Sequence, residues 1–166
     1  MTAEELVRHF NLEPHPEGGY FKQTYRSEEI IAADVLPERF SGNRSFSTAI
    51  YFLVLPGNFS AFHRLDADET WHFYTGGCLL IHVIHPDGKY ELILLGNHPS
   101  KSEMFQAVVP AGCWFACETG EGVDFSFTGC TMAPGFDFAG FELAKAKSLS
   151  AQYPQHRTLI NRLCRQ

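Results

Sequence analysis

GNFSAFHRLDADETWHFYTG, residues 57–76, is bounded by two glycines and carries His63 and Glu69 between them. In its second half Glu69, Trp71 and Phe73 alternate with Thr70, His72 and Tyr74. Successive side chains on a strand point to opposite faces. Glu69, Trp71 and Phe73 are therefore expected on one face and His72 on the other, unless a bulge intervenes. By the same parity Arg64 should point away from His63. Two ionisable groups set among apolar strand residues are costly to bury unless they are paired or used.

The flanking sequence is rich in strand signals. Strands are expected over 20–25, 45–55, 70–74, 79–84, 90–95, 105–109, 113–117 and 123–132. The first alternates Phe21, Gln23 and Tyr25 against Lys22 and Thr24, and the last alternates Val123, Phe125 and Phe127 against Asp124, Ser126 and Thr128. Pro86-Asp87-Gly88 is a turn between two of them. Many short strands at regular spacing indicate an antiparallel sandwich or barrel. Thr2-x-x-Glu5 forms a capping box for a helix through Phe10, with Leu6, Val7 and Phe10 docked on the sheet. Leu159, Ile160 and Leu163 lie at helical spacing in 154–164, which predicts a terminal helix. HPEGG at 15–19 cannot continue regular structure, because Pro16 lacks a donor and Gly18 and Gly19 permit unusual backbone angles. No repeat, linker or low-complexity stretch divides the chain, so residues 1–166 are expected to form one domain.

Composition narrows the function classes. The 166 residues are 45% hydrophobic and 19% charged, an ordinary globular balance. A net charge of −6 disfavours a phosphate backbone as partner, so no nucleic acid is expected. The longest apolar run, 49–55, is far short of a membrane span, and no basic and apolar leader opens the chain. A cytoplasmic protein without a membrane partner is the expectation. Five cysteines, an odd number, fit a reducing compartment. Cys113 and Cys117 stand four apart, as in half a zinc site, but no second pair with matching spacing follows; buried thiols are the simpler reading.

The spacing of Gly57, His63, Glu69 and Gly76 resembles the first cupin motif, in which a glycine-bounded hairpin brings two His and one Glu into a jelly-roll barrel. VPAGCWF at 109–115 resembles the second motif. The resemblance fails at Leu65 and Phe115, which stand where the second and third His ligands belong. Met104 stands for an expected Gly, and Thr119 for an expected Asn. Together HPEGGYF (15–21), SAFHRLDADETWHFYTGG (60–77), VVPAGCWFA (108–116) and APGFDF (133–138) resemble one cupin family, the fifth, whose reaction is unassigned. The resemblance implies a mainly β, double-stranded β-helix with short terminal helices, assembled as a homodimer. Its fold neighbours include metal-free sugar-nucleotide epimerases and seed storage proteins.

Only His63 and Glu69 remain at the metal-ligand positions, and two protein ligands are too few for a tight transition-metal site. No cofactor is expected; a divalent metal, if present, would sit on His63 and Glu69. The pair has two open readings: a polar pair closing a hairpin, or an acid–base pair tuned by its partner and an apolar wall. In the second, His63 abstracts a proton beside a carbonyl and Glu69 orients it. His15, Glu17, Tyr25, Arg26, Ser60, Trp71, Gln106 and Trp114 are the candidate ligand contacts. His15 and Glu17 would close over the barrel mouth, Trp71 and Trp114 would stack on a ring, and Arg26 would take a phosphate or carboxylate. Asp137 is expected to cap a turn. Three functions follow: a metal-independent epimerase or isomerase acting on a sugar-like or carbonyl substrate, a binding module without chemistry, or a metal-dependent enzyme with a reduced ligand set.

Overall fold

A computed structural model describes residues 1–165. Helix α1 (Ala3–Phe10) starts as expected. The Thr2 hydroxyl accepts from the Glu5 N–H, and the Glu5 carboxylate accepts from the Thr2 N–H. The strands are β1 (Glu13–Pro14), β2 (Tyr20–Arg26), β3 (Ile30–Ile31), β4 (Arg44–Ser45), β5 (Thr48–Val54), β6 (Phe59–Leu65) and β7 (Glu69–Gly76). They continue with β8 (Leu79–Ile84), β9 (Tyr90–Leu95), β10 (Gln106–Val109), β11 (Trp114–Thr119), β12 (Ser126–Met132) and β13 (Phe141–Leu143). Helices α2 (Ala146–Gln152) and α3 (Arg157–Arg162) close the chain.

Two antiparallel sheets face each other. One runs β1-β2-β5-β12-β7-β10 and the other β13-β6-β11-β8-β9. Phe52, Trp71, Ile81, Leu95, Phe115 and Met132 fill the space between them, as alternation on each inner face requires. The outer face of the first sheet is covered by α1, where Leu6, Val7 and Phe10 pack on Leu53 and Phe127. The outer face of the second is covered by the C-terminal helices, where Leu149, Ile160 and Leu163 pack on Phe62, Ile84 and Trp114. This is the double-stranded β-helix with short terminal helices expected from the sequence.

Several expected boundaries move. Residues 45–55 split into β4 and β5, because β4 pairs with β3 outside the main sheets. Residues 123–125 lie outside the strand, after a turn at 121–122, with the Val123 N–H donating to the Gly120 carbonyl and the Phe125 carbonyl accepting from the Gly77 N–H. The tail carries two short helices, with Pro154–His156 a separate 3-10 turn before α3.

Two bulges matter most. On β2, Gln23 pairs with Ile50 but Tyr25 pairs with Ala49, so the strand gains a residue at Thr24. Tyr25 is thereby turned outward, and Arg26, opposite Thr48, takes the inner face. On β6, Phe115 pairs with His63 but Cys117 pairs with Ser60, so an extra residue lies between them. Ser60 and His63, three apart, therefore share the inner face.

The HPEGG loop docks on this second bulge. Ala61 N–H donates to the Glu17 carbonyl at 2.8 Å, and Arg165 donates to the same oxygen. Gly18 has φ +115°, and a Cβ there would overlap the Phe59 carbonyl oxygen. Gly18→Ala is therefore expected to cost roughly 1–3 kcal/mol, read as a lowered urea midpoint. An unchanged midpoint would show that the loop does not need this close approach.

Candidate active site

The inner faces of β2, β5, β6, β7 and β12, with the HPEGG loop and the 133–141 segment, enclose a cavity of about 110 Å³. Its walls are mainly hydrocarbon: Phe21, Ile50, Leu65, Met132, Phe136 and Phe141. Five ionisable groups from the candidate set line it: His15, Glu17, Arg26, His63 and Glu69.

The expected His63–Glu69 pair is corrected here. The carboxylate that meets His63 belongs to Glu17. His63 Nε2 lies 3.2 Å from Glu17 Oε2, and Ser60 Oγ donates to Glu17 Oε1 at 2.7 Å. His15 Nδ1 lies 3.6 Å from the same Oε2 and accepts from the Glu17 backbone N–H. Glu69 shares the cavity but not the hydrogen bond. The loop, not the hairpin, supplies the partner, because only the bulge between Ser60 and His63 lets both reach one carboxylate.

His63 Nδ1 lies 2.7 Å from the Ala61 carbonyl, an acceptor only, so this nitrogen carries the hydrogen. The Nε2 lone pair then faces Glu17 Oε2, so a hydrogen bond joins the two only when Glu17 carries a proton. Burial raises Glu17 to about 6, with His15 and Ser60 opposing, and lowers His63 to about 4, with the Ala61 carbonyl opposing. Burial also lowers His15, against the pull of Glu17. The His63 ring is held by Phe115, centroids 4.1 Å apart, and by Phe141 at 5.4 Å.

Glu69 is 8% exposed, and its Oε2 has no hydrogen-bond partner among the described residues. Burial, reinforced by the Glu17 charge, raises its pKa to about 8. Trp71 and Cys130 lie beside the carboxyl and pull the other way, but the Trp71 indole N–H also finds no well-formed partner. At neutral pH Glu69 is thus mostly a neutral acid, and Glu17 mostly an anion.

Five expected contacts lie elsewhere. Trp71 is packed in the core against Phe52 and Phe115. Trp114 is on the outer face of β11 beneath the C-terminal helices, with Arg64 over its ring. Gln106 lies on the outer face, bonded to His72, which in turn meets Thr131. Tyr25 is turned out by the Thr24 bulge and is 54% exposed. Ser60 acts through Glu17 and does not line the cavity. Asp137 caps a 3-10 turn through Ala139 N–H. Gln23, Thr48, Cys130 and Phe141 line the cavity although no motif contains them, and so do Phe136 and Phe138, which lie in APGFDF but are not among the expected contacts. Strand parity with Phe21 flags Gln23, and the APGFDF stretch is the signal that could have found Phe136 and Phe138; nothing in the sequence places Phe141.

A family model described as "Cupin superfamily (DUF985)" matches residues 4–144. The chain belongs to this cupin family. A hypothetical protein from Leishmania major superposes with TM-score 0.91 and 32% identity over 100% of both chains. A Shewanella oneidensis protein gives 0.88 and 38%, covering 99% of this chain and 98% of its own. An uncharacterized protein of Saccharomyces cerevisiae is 29% identical over 155 residues, 88% of this cupin and 77% of the relative. Oxalate decarboxylase from Bacillus subtilis shares the fold, with TM-score 0.54 and 14% identity over 90% of this cupin and 36% of its own chain.

The cupin's residues do not fit the metal group of the wider superfamily. Leu65 and Phe115 replace two ligands with hydrocarbon, and Phe115 packs on the His63 ring. The imidazoles of His15 and His63 converge on one Glu17 oxygen rather than on an open coordination point. Among the described residues no three His, Cys, Asp or Glu side chains form a ligand cluster.

Because folding lifts the Glu69 pKa from about 4.5 to about 8, its contribution to stability is full below pH 4.5 and is lost as pH rises through 8. Urea midpoints compared at about pH 5.5 and about pH 8.5 should fall further in the wild type than in Glu69→Gln, which cannot ionise. Equal falls would mean that Glu69 is not held protonated.

Proposed function

We propose that this cupin is a metal-independent acid–base catalyst for a small carbonyl substrate, an isomerase or epimerase by reaction type. One observation carries the reading: two buried carboxyls, Glu17 and Glu69, line a single apolar cavity, and the Glu69 Oε2 there has no hydrogen-bond partner among the described residues. Pairs of titratable groups pushed apart by their surroundings are how acid and base roles are divided at one pH.

Glu17 takes a proton from the carbon beside the carbonyl, and the C–H electron pair moves into a C=C bond. Glu69 gives its proton to the carbonyl oxygen, producing an enol. The abstracted proton is shared across the 3.2 Å gap with His63 Nε2, so the imidazole steadies Glu17 as an acid instead of acting as the free base expected from sequence. Return of the proton to the other face of the same carbon, with the enol O–H proton going back to Glu69, gives the epimer. Where that carbon carries a hydroxyl, its O–H proton goes to Glu69 instead while the former carbonyl carbon takes the proton held by Glu17, which gives the isomer, and both carboxyls are restored.

Size limits the substrate. A cavity of about 150 Å³ accommodates benzene. This chamber of about 110 Å³ takes a compound of three to five carbons, roughly, or the reacting end of a larger one. The same apolar walls also support a second reading, a binding module that holds such a compound without chemistry.

The test is deuterium incorporation from heavy water into small ketones, aldehydes and oxo acids, followed by proton NMR. Exchange should rise as pH passes about 6 and fall as it passes about 8. Glu17→Gln should slow it by roughly 10²–10⁴-fold. Ligands that raise the melting temperature but never exchange would leave the binding module and remove the catalyst.

A further inference from the structure

Arg26 is the one Lys or Arg side chain lining the cavity among the described residues. The Thr24 bulge puts it there, on the inner face opposite Thr48 and at the exposed end of β2. Its guanidinium is held on three sides by neutral acceptors. Nε donates to Gln23 Oε1 at 3.2 Å, Nη1 to Ser45 Oγ at 3.1 Å, and Nη2 to the Phe136 carbonyl at 2.9 Å. A guanidinium has five N–H donors, so these three bonds fix its plane and leave two donors free.

Its charge is also uncompensated. Arg44, Arg64 and Arg162 each meet a carboxylate, on Asp66, Glu142 and Glu118. Arg26 meets none among the described residues. A fixed cation with two free donors, at the mouth of an apolar chamber, is a receptor for a planar anion.

We infer that Arg26 binds the carboxylate of the ligand, which makes the substrate class a short-chain oxo- or hydroxycarboxylic acid. The inference rests on reading the cavity as a ligand site. The carboxylate sits on Arg26 at the mouth, the carbon chain lies against Phe21, Phe136 and Phe141, and the carbonyl oxygen takes the proton of Glu69. A carboxylate matches the site better than a phosphate ester does. A single guanidinium balances one negative charge, and the ionised Glu17 inside the same chamber disfavours a second. The aromatic walls also leave no other cation to hold one.

Arg26 has a structural duty as well, since its bond to Phe136 ties the 133–138 segment to β2. The experiment must separate the two. Dissociation constants for 2-oxobutanoate, 2-butanone and propylphosphonate are measured by ligand-observed NMR at low salt, for wild type, Arg26→Gln and Arg26→Lys. The wild type should bind 2-oxobutanoate more tightly than the other two, and more weakly as salt rises. Arg26→Gln should weaken 2-oxobutanoate roughly 10- to 100-fold while leaving 2-butanone unchanged. Arg26→Lys, which keeps the charge without the fork, should fall between. A purely structural Arg26 would lower acid and ketone together, which would overturn the inference. So would a ketone or phosphonate that binds as tightly as the acid, or no binding of the acid at millimolar concentration. Should Arg26→Gln fail to fold, Arg26→Lys and the salt dependence of the wild type separate the same outcomes. Arg26-dependent binding of 2-oxobutanoate without any deuterium exchange would sink the catalytic reading alone. Exchange into 2-butanone as fast as into 2-oxobutanoate would sink this inference alone.

Discussion

A carboxylate buried inside an apolar barrel has to be held, and the way Glu17 is held organises the rest of this molecule. Its side chain receives Ser60 on one oxygen and faces His63 and His15 on the other. Its backbone carbonyl receives Ala61 and Arg165. Those contacts need a loop that approaches β6 within backbone distance, which Gly18 permits, and a strand that shows two polar side chains to the same point, which the bulge permits. Remove either and a buried acid loses its partners, a far larger penalty than the loss of a surface pair.

The same burial separates the two carboxyls chemically. Glu17 has His15 beside it and the Ser60 hydrogen bond to moderate its rise, while Glu69 has an oxygen without a partner among the described residues, hydrocarbon around it and a negative neighbour. Leu65, which lines the same chamber, adds to that hydrocarbon, and Phe115 packs behind it on His63 and Trp71. Where the wider superfamily has ligands for a cation, which would stabilise ionised Glu69, this chain has groups that can only raise its pKa.

Much of this was legible in residues 57–76 and in HPEGG. The motif spacing identified the barrel, and parity put Glu69 and Trp71 inside and His72 and Arg64 outside. The capping box fixed α1. What failed was parity across the bulges. An extra residue in a strand leaves no mark on its hydrophobic pattern, so Tyr25 and Arg26 exchanged faces unseen, and Ser60 joined His63 against the period of two. The Glu17–His63 contact spans forty-six positions and follows from how the loop docks, which no local pattern encodes. Trp71 and Trp114 have the composition of stacking platforms but sit behind the cavity wall and under α3, where burial area outweighs any ligand.

The central claim is that one chamber holds an ionised Glu17 and a protonated Glu69 at neutral pH. Carbon-13 NMR of δ-carboxyl-labelled glutamate reads this directly, with Glu17→Gln and Glu69→Gln used to assign the two signals. One buried carboxyl should titrate near pH 6 and be lost in Glu17→Gln, and another should titrate near pH 8 and be lost in Glu69→Gln. Removing Glu17 should also lower the upper midpoint, because its charge is part of what raises Glu69. Two carboxyls that both titrate near the ordinary value of 4.5 would contradict the account.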